Sequence, residues 1–215
     1  QFFRLRFDPE PDVCPTAAFE PEDLVWPRIV RRAFSDPRVP HESTGIEGRG
    51  TEEVKTNDVT NRVLIGEAGL TIEFGRPGVG VRFWEINKMT QALAKADVAF
   101  EMKNPVTSLL KDPATGEIRD DILGEKILSA IVEIKIPIAR VEEIVRLVWE
   151  VEKQIDTVVS IGVGARCDEK GEENIVAPIL ERLGYHPQRA KTNVGLGRTT
   201  NVSAPETQQA ADAVY

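Results

Sequence analysis

The chain has 215 residues, of which 41% are hydrophobic and 29% charged, proportions typical of soluble globular proteins. Its net charge of −8 and pI near 5.0 argue against nucleic acid as the main partner, because phosphate binding requires a basic surface. No apolar run approaches about 18 residues, so no membrane span is expected. The opening segment shows no signal-peptide pattern, and Cys14 and Cys167 form no CxxC pair, which favours reduced thiols and a cytoplasmic location.

Residues 1–66 are predicted to form a strand–helix–strand extension. In QFFRLRF, Phe3, Leu5 and Phe7 alternate with arginines, which is the period of a strand with one wet face. A short helix is expected to start near Pro21 or Pro27 and to run to Phe34, and NRVLIG restarts the strands. The polar, glycine-containing stretch 35–53 between them is predicted to be a mobile loop.

The central part of the chain predicts an α+β fold, the ferredoxin-like split βαβ sandwich. The elements follow the order β-α-β-β-α-β over about residues 70–165. Strands are predicted at 70–74, 98–102, 129–137 and 157–165, and helices at 83–96 and 139–155. The second helix has the clearest apolar stripe, which is expected to face a sheet: Val141, Ile144, Val145, Val148, Val151 and Ile155.

A further helix is predicted after this unit, with apolar residues from Ile175 to Leu183 on one face and Gly184 as its C-terminal cap. TNVGLGR can then add an edge strand. These elements assign residues 67–198 to the sandwich and residues 199–215 to a polar tail.

The connection over residues 103–126 is unusually long. Loops of more than roughly 12 to 15 residues are usually functional or disordered, so this one is predicted to be mobile or partner-binding. Turn residues at Asp112-Pro113 and Thr115-Gly116 indicate a small hairpin within it.

Three glycine–arginine clusters are the candidate ligand-binding segments. The first lies in FGRPGVGVRFWEINKM (74–89), where a strand runs through a turn into a helix. Glycines there would let an anion approach the backbone, helix N-terminal amides could donate to it, and the arginines could bind phosphate or carboxylate. The alternative is a tight corner that needs glycine only to turn. The candidate residues are Gly75, Arg76, Gly78, Gly80, Arg82, Gly162, Gly164, Arg166, Gly195, Gly197 and Arg198.

In the predicted fold the first and fourth strands are antiparallel, so the first two clusters should not meet within one subunit. They could meet across an interface between subunits. Two helices on one side of a four-stranded sheet would also leave its other face bare, unless that face is partly wet or is covered by the N-terminal unit. We therefore expect a homo-oligomer or a subunit of a complex.

The sequence favours a non-catalytic regulatory, accessory or assembly subunit that binds a small anionic ligand or a protein partner. It identifies no cofactor, no metal-ligand spacing and no catalytic residue. One alternative is an enzyme acting on a phosphorylated or carboxylated small molecule, with its site at a subunit interface and His41 or Cys167 in that site. The other is a structural subunit of a larger complex.

Overall fold

The computed structural model describes residues 23–35, 63–75, 78–166 and 175–185, which form four helices and eight strands. In chain order these are α1 (Ile29–Ala33), β1 (Glu67–Phe74), β2 (Val81–Arg82), α2 (Phe83–Lys95), β3 (Ala99–Phe100), β4 (Leu110–Asp112), β5 (Glu117–Ile118), β6 (Lys126–Ile127), β7 (Ala130–Pro137), α3 (Val141–Glu152), β8 (Val159–Ala165) and α4 (Ala177–Arg182). Short 3-10 turns lie at Thr107–Leu109, Asp120–Ile122 and Ile138–Arg140.

The main sheet has four strands in the order β3-β7-β1-β8, and every neighbouring pair is antiparallel. Leu70 of β1 lies opposite Ile134 of β7 on one side and Val163 of β8 on the other. Two small antiparallel ladders, β2–β6 and β4–β5, lie outside this sheet. The protein is therefore an α+β protein with antiparallel sheets.

The core lies on one face of the sheet, where the period-two pattern of β1 places Ala68, Leu70, Ile72 and Phe74, all fully buried. These side chains join one apolar cluster with those of α2 and α3. The stripe predicted for α3 is confirmed as buried from Val141 to Val151, whereas Ile155 lies beyond the helix end and is half-buried. A fully buried side chain of this kind contributes roughly 1.5–3 kcal/mol.

The other face of the sheet carries mainly polar residues along β1 and β7, together with the buried Ile131. Lys135 of β7 forms an ion pair with Glu67 of β1, with 3.2 Å between Nζ and Oε2. Thr71, also on this face, is fully buried, and its hydroxyl has no hydrogen-bond partner within the described ranges.

A residue with a positive φ lies just after the end of α2 and of α4. After α2 the chain turns at Asp97, which has a φ of 52°. After α4, Gly184 has a φ of 82°, and the Tyr185 amide donates to the Leu180 carbonyl at 3.0 Å. Gly184 therefore caps this helix as predicted. The rings of Tyr185 and Trp149, 5.6 Å apart, hold α4 against α3.

The connection between β3 and β6 packs into the core, which argues against the mobile loop predicted at 103–126, whereas the alternative that it binds a partner stays a prediction. Ile118 and Ile122 are fully buried in it. The Thr90 hydroxyl of α2 donates to the Gly116 carbonyl at 2.6 Å, and the Ile118 amide donates to Asn87 Oδ1 at 2.8 Å. The predicted hairpin is confirmed as β4–β5. Side chains of α2 thus supply the hydrogen bonds that a loose loop would take from water.

Of the predicted N-terminal extension, the structure describes only parts. The helix is shorter than expected and spans Ile29–Ala33. The prediction of a strand at NRVLIG is wrong for residues 63–66, which form a turn in which the Glu67 amide donates to the Leu64 carbonyl at 3.0 Å. The first predicted strand, residues 36–53, the C-terminal edge strand and the tail lie outside the described residues.

Candidate functional site

The glycine turn between β1 and β2 closes on itself. The Gly75 carbonyl accepts the amides of both Val79 and Gly80 at 3.0 Å. Gly75 and Gly80 have φ values of 82° and 77°, in the left-handed region that disfavours other residues. A Cβ on Gly75 would stand 2.7 Å from the Leu128 carbonyl oxygen, whereas one on Gly78 would meet nothing within 4 Å. Position 75 therefore requires glycine because a side chain would collide there. Position 78, with a φ of 69°, favours glycine only because of its left-handed backbone.

Backbone amides at the start of α2 are also engaged within the chain. The Arg82 amide donates to Glu85 Oε2 at 2.9 Å, which is half of a capping box. The amides of Phe83 and Trp84 donate to the carbonyls of Glu125 (3.2 Å) and Leu123 (3.0 Å). An anion at this point would consequently depend on side chains and not on these amides.

Beside this turn lies a shallow cleft with a volume of about 160 Å³. Its lining combines two cations, two acids, an indole, a valine and a glycine: Arg82, Lys126, Glu85, Asp156, Trp84, Val79 and Gly80. The cleft is formed where the β2–β6 ladder meets the first turn of α2 and the turn that precedes β8.

The two cations of the cleft are direct cross-strand neighbours, because Arg82 of β2 pairs with Lys126 of β6. Like charges directly opposite each other on an antiparallel pair are destabilising. Arg82 Nη1 donates to the Gly124 carbonyl at 2.7 Å, and among the described residues neither cation forms an ion pair with a carboxylate. The Lys126 side chain lies across Gly80, where a Cβ would stand 2.9 Å from Lys126 Cε.

The acids of the cleft have different roles. Glu85 is only 4% exposed, and while its Oε2 caps Arg82, its Oε1 accepts the Asp156 amide at 2.8 Å. This carboxylate therefore ties the start of α2 to the turn before β8. Asp156 is exposed at the rim, and the Thr157 hydroxyl beside it donates to the Gly80 carbonyl at 2.7 Å.

The other predicted ligand residues do not join this cleft. Gly162 and Gly164 lie within β8, opposite Thr71 and Gly69. A Cβ on Gly162 would stand 2.5 Å from Thr71 Oγ1, so this glycine makes room for a neighbouring side chain. Arg166 follows the far end of β8, where its Nε donates to the Val63 carbonyl at 2.6 Å. The first and second clusters thus lie at opposite ends of the β1–β8 pair, as antiparallel pairing requires.

Arg76, Gly195, Gly197 and Arg198 lie outside the described residues, as do His41 and Cys167. Within the ranges that are described, no group of three or more histidine, cysteine or acidic residues could hold a metal ion.

Sequence reasoning missed Lys126 and Asp156. Lys126 reaches Arg82 only through a two-residue ladder, which is too short to leave a periodic signal. Glu85 had a local signal, because a glutamate three residues after the residue that precedes a helix is typical of a capping box.

No match was found between this chain and any family model, curated protein or solved structure. In the part of the chain that the structure describes, no helix is both long and apolar enough to cross a membrane.

Proposed function

We propose that this protein is a non-catalytic regulatory or accessory module that binds a small anionic ligand in the cleft between the glycine turn and β6. The observation that carries the proposal is the direct pairing of Arg82 with Lys126, without a carboxylate on either among the described residues. An anion between them would relieve their repulsion and accept charge-assisted hydrogen bonds from both.

The remaining lining fits a small ligand better than a large one. Trp84, 38% exposed, and Val79, 49% exposed, offer an apolar wall, and a volume near 160 Å³ suits a phosphate or a small carboxylate. Asp156 at the rim would disfavour a ligand of extended negative charge.

The proposed architecture is the ferredoxin-like split βαβ sandwich. Its support is the strand order β3-β7-β1-β8 together with two β-α-β units, β1-α2-β3 and β7-α3-β8. In each unit, one strand of the other unit lies between the two strands. Assembly into a homo-oligomer or a larger complex belongs to the same proposal.

The competing proposal, an enzyme acting on a phosphorylated or carboxylated small molecule, is favoured by one observation. Asp156 lines the cleft and is exposed, so it could exchange protons with a bound ligand. Glu85 is less suited to that role, because both of its oxygens hold backbone amides.

Thermal-shift titration of the full chain with inorganic phosphate, citrate and acetate tests the binding proposal. We expect at least one anion to raise the Tm of the parent, and Arg82→Ala or Lys126→Ala to weaken its binding about tenfold or more. The reason is that a charged hydrogen bond contributes roughly 1.5–3 kcal/mol.

Arg146→Ala is the matched control, since Arg146 is an exposed arginine on α3 that pairs with Glu142, and its loss should leave binding unchanged. Failure of all three anions to stabilise the parent, or equal binding by Arg82→Ala, would contradict the proposed site.

A further inference from the structure

The outer edge of β8 is unpaired among the described residues. β8 is the last strand of the main sheet, and β1 is its one described neighbour. The Gly75 amide donates to the Val158 carbonyl at 3.0 Å, which makes this pair a hydrogen-bonded one. Hydrogen-bonded and non-hydrogen-bonded pairs alternate along an antiparallel ladder. The residues of β8 that bond to β1 are therefore Ser160, Gly162 and Gly164.

It follows that four residues of β8 direct their backbone N–H and C=O groups away from β1: Val159, Ile161, Val163 and Ala165. Such a row of unpaired groups is a template for a further strand.

β8 also lacks the devices that usually protect an edge. Its sequence, VSIGVGA, contains no charge and no proline over seven residues. The opposite edge of the sheet is different, because β3 has only two residues and is followed by the charged Glu101 and Lys103. A free edge of this length and composition is suited to pairing with another strand.

The sequence of β8 is self-complementary about Gly162. In an antiparallel pairing across a two-fold axis, Gly162 meets its own copy, Ile161 meets Val163 and Val159 meets Ala165. The four outward-directed residues then bond to one another, and their half-buried apolar side chains continue the core face of the sheet. No like charges come together, because the strand carries none.

We infer that β8 pairs with the β8 strand of a second copy of this chain, joining two four-stranded sheets into one continuous sheet across a two-fold axis. This pairing rests on the homo-oligomer that forms part of the proposed function and specifies its interface. The surface is separate from the anion cleft, so anion binding and β8 pairing are tested independently.

Sedimentation equilibrium of the full chain from about 1 to about 200 µM, at physiological salt to screen the net charge of each copy, tests the inference. We expect a concentration-dependent dimer. Val163→Pro should be monomeric throughout, because it removes an outward N–H and leaves the bonds to β1 in place. Val163→Ala, which loses side-chain volume but keeps the N–H, should still dimerise.

Residue-resolved amide exchange supplies a second readout that needs no variant. Exchange at Ile161 and Val163 should slow as the protein concentration rises, whereas Gly162, already bonded to β1, should be unaffected. A parent that stays monomeric would overturn the inference. So would a dimer in which the Ile161 and Val163 amides exchange as fast as in the monomer, since its interface must then lie elsewhere.

Discussion

At the scale of single residues, the glycine turn requires glycine for two different reasons, a positive φ and a lack of space for a side chain. Gly75 and Gly78 both have positive φ values, 82° and 69°. Only at Gly75 would a side chain also collide with backbone, since its Cβ would lie 2.7 Å from the Leu128 carbonyl oxygen. The turn is thus a sterically fixed corner, and the cations beside it are a separate feature.

We therefore expect Gly75→Ala to lower the free energy of unfolding by clearly more than Gly78→Ala. The second change should cost about 1–2 kcal/mol from left-handed strain alone. Gly75→Ala should cost more, because it must also displace the backbone at Leu128 and Gly80. Urea denaturation of both variants measures the difference, and equal losses would show that the backbone at Leu128 yields without cost.

At the scale of elements, the packed connection between β3 and β6 behaves as core and not as loop. Ile122 is fully buried there, although the surrounding sequence has no periodic apolar pattern that predicts its burial.

Ile122→Ala should cost about 2–5 kcal/mol, the range for emptying a buried aliphatic site. Leu128→Ala, at a leucine that is 40% exposed, is the control and should cost far less. Chemical denaturation measures both. A loss below about 0.5 kcal/mol for Ile122→Ala would mean that the connection opens freely in solution.

The length of an element explains how well the sequence could predict it. β1, β7, β8, α2 and α3 are long enough to show a period of two or 3.6 residues, and all five lie where the pattern put them. β2 and β6 have two residues each, so no periodicity marks them. The cleft depends on the pairing of β2 with β6. Arg82 could be identified because it belongs to a glycine–arginine cluster, whereas nothing in the sequence places Lys126 beside it.

At the scale of the whole molecule, two exposed carboxylates predict how stability responds to acid. Two hydrogen bonds hold the pKa of Asp121 below its ordinary value of 3.8. The one from Arg119 has the larger effect, and the one from the Trp26 indole the smaller. A hydrogen bond from Arg140 likewise lowers the pKa of Glu143 from 4.5. Because both folded pKa values are depressed, these groups stabilise the protein above their unfolded values. That contribution is lost as pH falls through the folded ones.

We expect the Tm to be insensitive to these two groups between about pH 7 and pH 5 and to fall below about pH 4.5. Asp121→Asn should make the decline shallower, because the asparagine cannot titrate. Thermal melts across this range check the expectation, and a Tm that rises on acidification past pH 4 would contradict it.

The buried Thr71 and the glycine facing it in β8 have a consequence for how this protein can change over time. With 2.5 Å between Thr71 Oγ1 and the place of a Cβ on Gly162, the two positions share the space of a single side chain. A mutation that enlarges residue 162 is tolerated only in a lineage where residue 71 has already become smaller. Related sequences should therefore show the two positions varying together, with a small residue on at least one strand and never a large one on both.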